Sequence, residues 1–361
     1  MDSHFHAYQA KYDIMDDHVR RITQSQYIHS IDIFINLDDV FHNMHRPLVE
    51  KEVQLCGIDA KRQLTSKIIN LIAHYKQWGI GRQRIKTRVF AIYTKGTQFK
   101  NFIYIPFYRD HFIAINDPSN ASFKFVNDAL RAAIPIAHNI CDYVEDVFMI
   151  NSEYLEPSIL PLYLKECGIA TYDWSMVVSR DPYDLQYAYL DKWLFVSPKG
   201  DNTMMVHRKN LWDYVAAREH VREVYPNQPM FHHDLYPLAL SVAGNKLRGI
   251  PRLRRVGWKT IFKYLNEITE EDTESIQVVS SRFIDIMTSK GTTLQQLDDN
   301  LRASNIRRQV SVMTDIDKAF IMNQLKYVTD HEALQTINNM YFSQWPLNIP
   351  FLTNTLNKFG R

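Results

Sequence analysis

Residues 244–260 read GNKLRGIPRLRRVGWKT. Gly and Pro mark turns, and apolar helical patterns lie on both sides, so the stretch predicts two helices joined by a Gly-Pro-Arg-rich turn. Its cations are Lys246, Arg248, Arg252, Arg254, Arg255 and Lys259, and it has no acid. It lies within a longer acid-free window, Leu235–Asn266, which holds seven basic residues. A second such window, Ala60–Arg109, carries eleven. Two long basic stretches without carboxylates point to a polyanion, because Lys and Arg hold phosphates and carboxylates repel them. Whole-chain charge carries no such signal: 42 basic residues face 40 acids, a net charge of +2.

Upstream of the turn, strand and helix patterns alternate. Tyr27–Leu37, Arg88–Tyr93, Trp174–Ser179 and Lys192–Val196 read as buried strands. Lys61–Trp78, Ala129–Ile150 and Ile159–Glu166 read as helices, and residues 8–24 as a short amphipathic one. This alternation predicts an α/β fold with a mostly parallel sheet covered on both faces. Beyond Leu235 strand signals fade, and the remainder reads as helical. The expected organisation is an N-terminal helical extension over 1–24, an α/β domain over 25–230 and a helical domain over 231–361. A 361-residue chain with 45% apolar and 23% charged residues excludes wholesale disorder, collagen and coiled coil. No apolar run reaches membrane-spanning length, and the N-terminus lacks an apolar leader segment. Cys56, Cys141 and Cys167 fit no metal or disulfide spacing. A cytoplasmic protein with no membrane partner and no small-molecule substrate is expected.

The turn resembles, without a gap, the G-D-x-x-D-N-I-P-G-V-x-G-I-G-x-K-T motif of the 5′-nuclease superfamily (flap endonucleases, phage 5′-exonucleases, the 5′-nuclease domain of DNA polymerase I). Gly244, Ile250, Pro251, Gly257, Lys259 and Thr260 match it identically. Four further segments resemble family landmarks in order: FINLDDVFHNM (34–44), RVFAIYTKGTQFKNFIYIPFYR (88–109), MVVSRDPYDLQYA (176–188) and KGTTLQQLDDNL (290–301). The resemblance spans roughly residues 27–305. It implies a PIN-like domain with an arch at about 95–130 and a helix-three-turn-helix element.

The family cuts phosphodiesters with divalent ions held by about eight carboxylates, since hard Mg²⁺ prefers oxygen ligands. Position by position, the resemblance finds those acids replaced. The first-strand and second-strand acids fall on Asn36 and Tyr93. The E-A-D-D acids become Leu155, Pro157 and Ser158, and the second acid of S-g-D-k-D becomes Tyr183. The two acids of the turn motif become Asn245 and Arg248. Only Asp181 keeps a carboxylate, and it reads more readily as a turn cap than as a ligand. Nearby acids, Asp38, Asp39, Glu153, Glu156 and Asp184, leave a rebuilt metal site as the rival reading; a one-residue slip would bring Glu156 or Asp38 inward.

The phosphate-holding positions keep their charge. Lys100 and Arg109 correspond to the family's arch cations, and Tyr108 lies among them as a stacking candidate. With Lys246, Arg248, Arg252, Arg254, Arg255, Gly257, Lys259 and Thr260 of the turn, they form the expected nucleic-acid surface. The resemblance thus implies a non-catalytic protein that binds duplex or branched DNA and serves replication, repair or transcription. No metal or other cofactor is expected, apart from a monovalent cation at the 244–260 turn. Two alternatives are an active Mg²⁺-dependent 5′-3′ exonuclease/endonuclease with relocated ligands, and a scaffold that docks a replication or transcription protein through FSQWPLNIPF near the C-terminus. His4, His6, His42 and His45 show metal-like spacing without a completing set, and His232-His233-Asp234 reads as a helix N-terminal cap.

Overall fold

SIDIFIN forms β1 (Ser30–Asn36), six of whose seven residues are buried. A run apolar on both faces belongs at the centre of a parallel sheet, and β1 lies there. The structure is a computed structural model and describes residues 28–37, 57–80, 83–94, 133–142, 144–153, 155–197, 204–221, 231–245, 248–253, 256–271, 275–311 and 313–325. The expected 8–24 helix and the 95–130 arch lie outside these residues.

After β1 come α1 (Gly57–Lys76), a small antiparallel pair, β2 (Gly79–Ile80) with β3 (Gln83–Arg84), and β4 (Lys86–Tyr93). A helix over 133–141, α2, leads to β5 (Val147–Asn151). A 3-10 turn (Pro157–Ile159) opens α3 (Leu160–Glu166), followed by β6 (Trp174–Val178), a 3-10 segment (Pro182–Tyr189), β7 (Trp193–Ser197) and β8 (Met204–Val206). The sheet order is β5-β4-β1-β6-β7-β8, all neighbours parallel except the final pair. Helices then take over: α4 (Leu211–Arg218), α5 (Tyr236–Ala243), α6 (Trp258–Glu271), α7 (Ile276–Ser289), α8 (Leu294–Ser304), α9 (Ile306–Val310) and α10 (Asp315–Met322).

Strand alternation divides the core in two. Ile33, Ile35, Val89 and Ala91 pack with α1 and α2 on one face. Phe34, Phe90 and Phe195 face the other way and join one buried cluster with Tyr236, Phe262 and Phe283 of the later helices. Phe34 stacks between Phe90 and Trp193, at 5.2 and 5.8 Å. One charge sits beneath this layer. Asp32 is fully buried and accepts from Arg88 Nε at 2.8 Å and from the Tyr172 amide at 2.8 Å, with Lys165 Nζ 3.7 Å away.

Side chains of the later helices reach into the sheet and the turn. Asn300 Nδ2 donates to the carbonyls of Ser241 and Pro251, both at 2.7 Å, tying α8 to the two ends of the Gly-Pro turn. Gln186 Oε1 accepts from the Ile306 amide at 2.7 Å. Gln324 bonds both the amide and the carbonyl of Asn151 at the end of β5.

The reading of residues 129–150 differs from the structure. The helix expected over Ala129–Ile150 ends at 141, and VFMIN forms strand β5. Asp146, at φ 60°, turns the chain between them. A five-residue apolar run next to a helix has no periodicity of its own, so it reads as continuation.

Candidate functional site

Strands β4 and β5 lie on one side of β1, and β6 and β7 on the other. The chain therefore reverses direction of winding beside β1, and the carboxyl ends of strands at such a reversal form a crevice. Asn36 ends β1 there. Two 3-10 segments start beside it in the same way, each from an acid followed by proline. Glu156 precedes Pro157, and Asp181 precedes Pro182, both with extended backbone (ψ 124° and 123°). Proline imposes that conformation on its predecessor and suits the first helical position. The turn after α5 closes the crevice with Asn245 and Arg248.

Arg248 occupies its centre. The residue is 7% exposed, and its Nε lies 2.7 Å from Asp181 Oδ2. Its other two guanidinium nitrogens contact Glu156 Oε1 and Ser158 Oγ. The guanidinium carbon lies 3.8 Å from the centre of the Tyr183 ring. Asp181 Oδ1 accepts from the Tyr183 amide at 2.8 Å and from Asn245 Nδ2 at 3.5 Å. Asn36 Nδ2 reaches Asp184 Oδ2 at 3.4 Å and Ser158 Oγ at 3.5 Å.

This geometry bears on three sequence readings. Arg248, expected to grip phosphate, is buried and pairs with two carboxylates of its own chain. Among the described residues, Glu156 (2% exposed) and Asp184 (0%), two of the nearby acids named from the sequence, turn inward beside Asp181. The repeated acid-proline pair at 156–157 and 181–182 is the signal that was legible for Glu156. Tyr93 does not line the crevice. Asn36 is in register with Ile92, so Tyr93 points to the opposite face, where its hydroxyl meets His138 Nδ1 at 3.1 Å. Ser158, Tyr183, Asn245 and Asp181 do converge, and Pro157 starts the buried 3-10 turn beside them. Asp181 caps the Pro182–Tyr189 segment, the capping role read from its sequence context.

The turn itself has a tight first half. Asn245 and Ile250 exchange backbone hydrogen bonds at 2.9 and 3.0 Å, with Gly244 at φ 71° and Gly249 at φ 64°. The second half opens to solvent: Arg252 and Lys259 are exposed, with Gly257 and Thr260 partly so. The Gly257 carbonyl accepts the Thr260 and Ile261 amides, starting α6. Lys246, Arg254 and Arg255 of the turn, and Lys100, Tyr108 and Arg109 of the arch, lie outside the described residues. The upstream basic window is not one free face. Within it Lys76 pairs with Asp146 at 3.6 Å and Arg88 with Asp32.

His232, His233 and Asp234 bring three ligand-type atoms within 4.8 Å of one another. His232 Nδ1 accepts the Asp234 amide, the cap its sequence suggests. Arg208 Nε donates to His233 Nε2 at 2.6 Å, so a cation already holds that nitrogen. Burial, then the Arg208 charge, lowers the His233 pKa to about 4. An NMR titration should therefore show His233 neutral down to pH 5, and Arg208→Ala should raise its midpoint toward the ordinary ~6.5. A His233 midpoint unmoved by that change would show that Arg208 has no part in the shift. Among the described residues ligand-type side chains converge in the crevice and in this cluster, and each holds an arginine. Neither fits a divalent ion, whose charge a guanidinium repels.

No family model and no curated protein matches the chain. Solved structures do. The 5′-exonuclease of bacteriophage T5, with divalent zinc ions bound, superposes with a TM-score of 0.50 at 14% identity, over 82% of this chain and 99% of that one. A bacteriophage T5 flap endonuclease pseudo-enzyme–product complex with DNA and metal ions gives 0.49 at 14% identity, over 82% and 98%. The likeness to the exonuclease shows the 5′-nuclease fold, the mostly parallel sheet with flanking helices anticipated from the sequence. Among the described residues no helix is long and apolar enough to cross a membrane.

Proposed function

We propose that this chain is a non-catalytic DNA-binding protein built on the 5′-nuclease fold, an accessory to replication, repair or transcription. The observation that carries the reading is Arg248. Phosphodiester cleavage by this fold's chemistry needs cations in the crevice to neutralise the attacking and leaving oxygens. Here two of the inward carboxylates, Glu156 and Asp181, are engaged by a side-chain guanidinium that cannot leave the protein. The binding half of the reading rests on the turn. Arg252 and Lys259 stand exposed around the partly exposed Gly257, beside the first turn of α6. Backbone amides at a helix start, with cations around them, suit a phosphate.

The rival is a metal-dependent nuclease with relocated ligands, and the inward turn of Glu156 and Asp184 is what favours it. One experiment separates the two. Labelled flapped, nicked and single-stranded DNA incubated with the protein in Mg²⁺ or Mn²⁺ should stay intact; cleavage abolished by Asp181→Ala would establish the rival. Duplex binding by anisotropy at three salt concentrations should show a slope of several units, about −0.9 per phosphate contact. Arg252→Ala/Arg254→Ala/Arg255→Ala should flatten that slope by up to about three units, at unchanged melting temperature. Gly257→Val should weaken binding with every charge retained. Among the described residues a Cβ at Gly257 meets Arg252 Nη1 at 3.7 Å, an ordinary contact, so the loss reports on DNA approach. Parental binding by the triple variant would remove the turn from the interface.

A further inference from the structure

Three carboxylates close together under the carboxyl end of a sheet cannot all stay ionised without a counter-charge. Glu156, Asp181 and Asp184 are all at most 7% exposed. Asn36 Nδ2 donates to Asp184 Oδ2 at 3.4 Å. Among the described residues, a cation from a distant part of the chain lies between Glu156 and Asp181. Arg248 sits in the turn after α5, 67 residues from Asp181 and 92 from Glu156 in sequence, and forks between them. Tyr183 gives the guanidinium an aromatic face, and Ser158 takes a further donor.

We infer that Arg248 is the built-in counter-ion of this crevice: it does the work of a bound cation, and it fastens the Gly-Pro turn to the sheet. Two consequences follow from the geometry. First, the protein's stability does not depend on a divalent ion between Glu156 and Asp181, because Arg248 already pairs with both. Second, the turn's orientation is fixed by an ion pair with the sheet. The bonds converge from three separate segments, so the guanidinium joins the 3-10 turn at Pro157–Ile159, the exit of β6 and the turn itself. The buried carboxylates create the requirement, and a planar fork meets it better than a point charge because Nε and Nη1 lie in one plane toward two acceptors. This inference concerns the free protein and stands whether or not the turn binds DNA.

The test is thermal melting of the full chain without DNA, in EDTA and in millimolar Mn²⁺. The parent should melt at one temperature in both. Arg248→Ala should melt about 10 °C lower in EDTA, since removing one member of a buried pair strands the others. Mn²⁺ should restore at least half of that loss, because the exposed cavity then offers carboxylates to a hard cation. Adding Asp181→Asn to Arg248→Ala should abolish the Mn²⁺ response. Arg248→Lys keeps a charge without the fork; it should lose less and gain nothing from Mn²⁺, and it serves as the test if Arg248→Ala does not fold. A parent stabilised by Mn²⁺, an Arg248→Ala variant as stable as the parent, a loss that Mn²⁺ leaves untouched, or a Lys variant that responds to Mn²⁺ would each overturn the inference. Failure here shows in melting, whereas failure of the proposed function shows in DNA cleavage or binding.

Discussion

Gly244→Ala should destabilise the protein by about 2–5 kcal/mol, the combined scale of a strained backbone and an overpacked contact. Gly244 ends α5 at φ 71°, a conformation open to glycine and strained for other residues. Space is a second obstacle. A Cβ there would lie 2.6 Å from the Ile250 carbonyl oxygen, 2.7 Å from the Arg252 nitrogen and 2.8 Å from the Pro251 carbonyl carbon. All three are backbone atoms of the returning half of the turn, so no side chain can swing aside. Relief requires the two halves to part, and that breaks the Asn245–Ile250 pair and the Asn300 bonds that hold the turn closed. Urea denaturation measures the effect directly. An Ala variant with the parental midpoint would show that the turn is far looser than its hydrogen bonds indicate.

Asp32→Ala should cost about 3–5 kcal/mol, the range for removing one partner of a buried ion pair. Asp32 is fully buried on the central strand and answers two cations, Arg88 and Lys165, whose side chains are only 16% and 25% exposed. Its second oxygen also holds the Tyr172 amide. Truncation leaves Arg88 and Lys165 without their carboxylate and the Tyr172 amide without its acceptor. The pair of Asp173 with Lys192 is the control, because both side chains are well exposed there. Asp173→Ala should leave the denaturation midpoint where it is. Equal effects at Asp32 and Asp173 would show that the sheet floor is open to water.

The parallel sheet was legible because its strands are apolar on both faces: IDIFI, RVFAIY and WSMVV allow few other placements. The Gly-Pro turn between two helices was legible for a complementary reason, since Gly244 and Pro251 narrow the backbone's options whatever surrounds them. Strand β5 was not legible, since VFMIN follows a helix without punctuation. The crevice was half legible. Sequence comparison found Asn36, Tyr183 and Asn245 where acids are expected, and it found Arg248 among them. It could not assign Arg248 a direction. A guanidinium in a basic run reads as a surface charge, and only the fold brings Glu156 and Asp181 to it from more than sixty residues away. Tyr93 failed for a smaller reason: a shift of one residue along a strand sends a side chain to the other face.

Gln324 bears on the edge of the sheet. Among the described residues strand β5 ends the sheet, and the outer side of such a strand offers bare amides and carbonyls onto which a second chain can add. Gln324 covers the last of these pairs. Its side-chain amide takes the Asn151 N–H at 2.8 Å and gives to the Asn151 carbonyl at 3.1 Å, the pattern that a neighbouring strand would supply. One glutamine, just past the end of α10, thus imitates a strand one residue long and blocks growth of the sheet by self-addition at that corner.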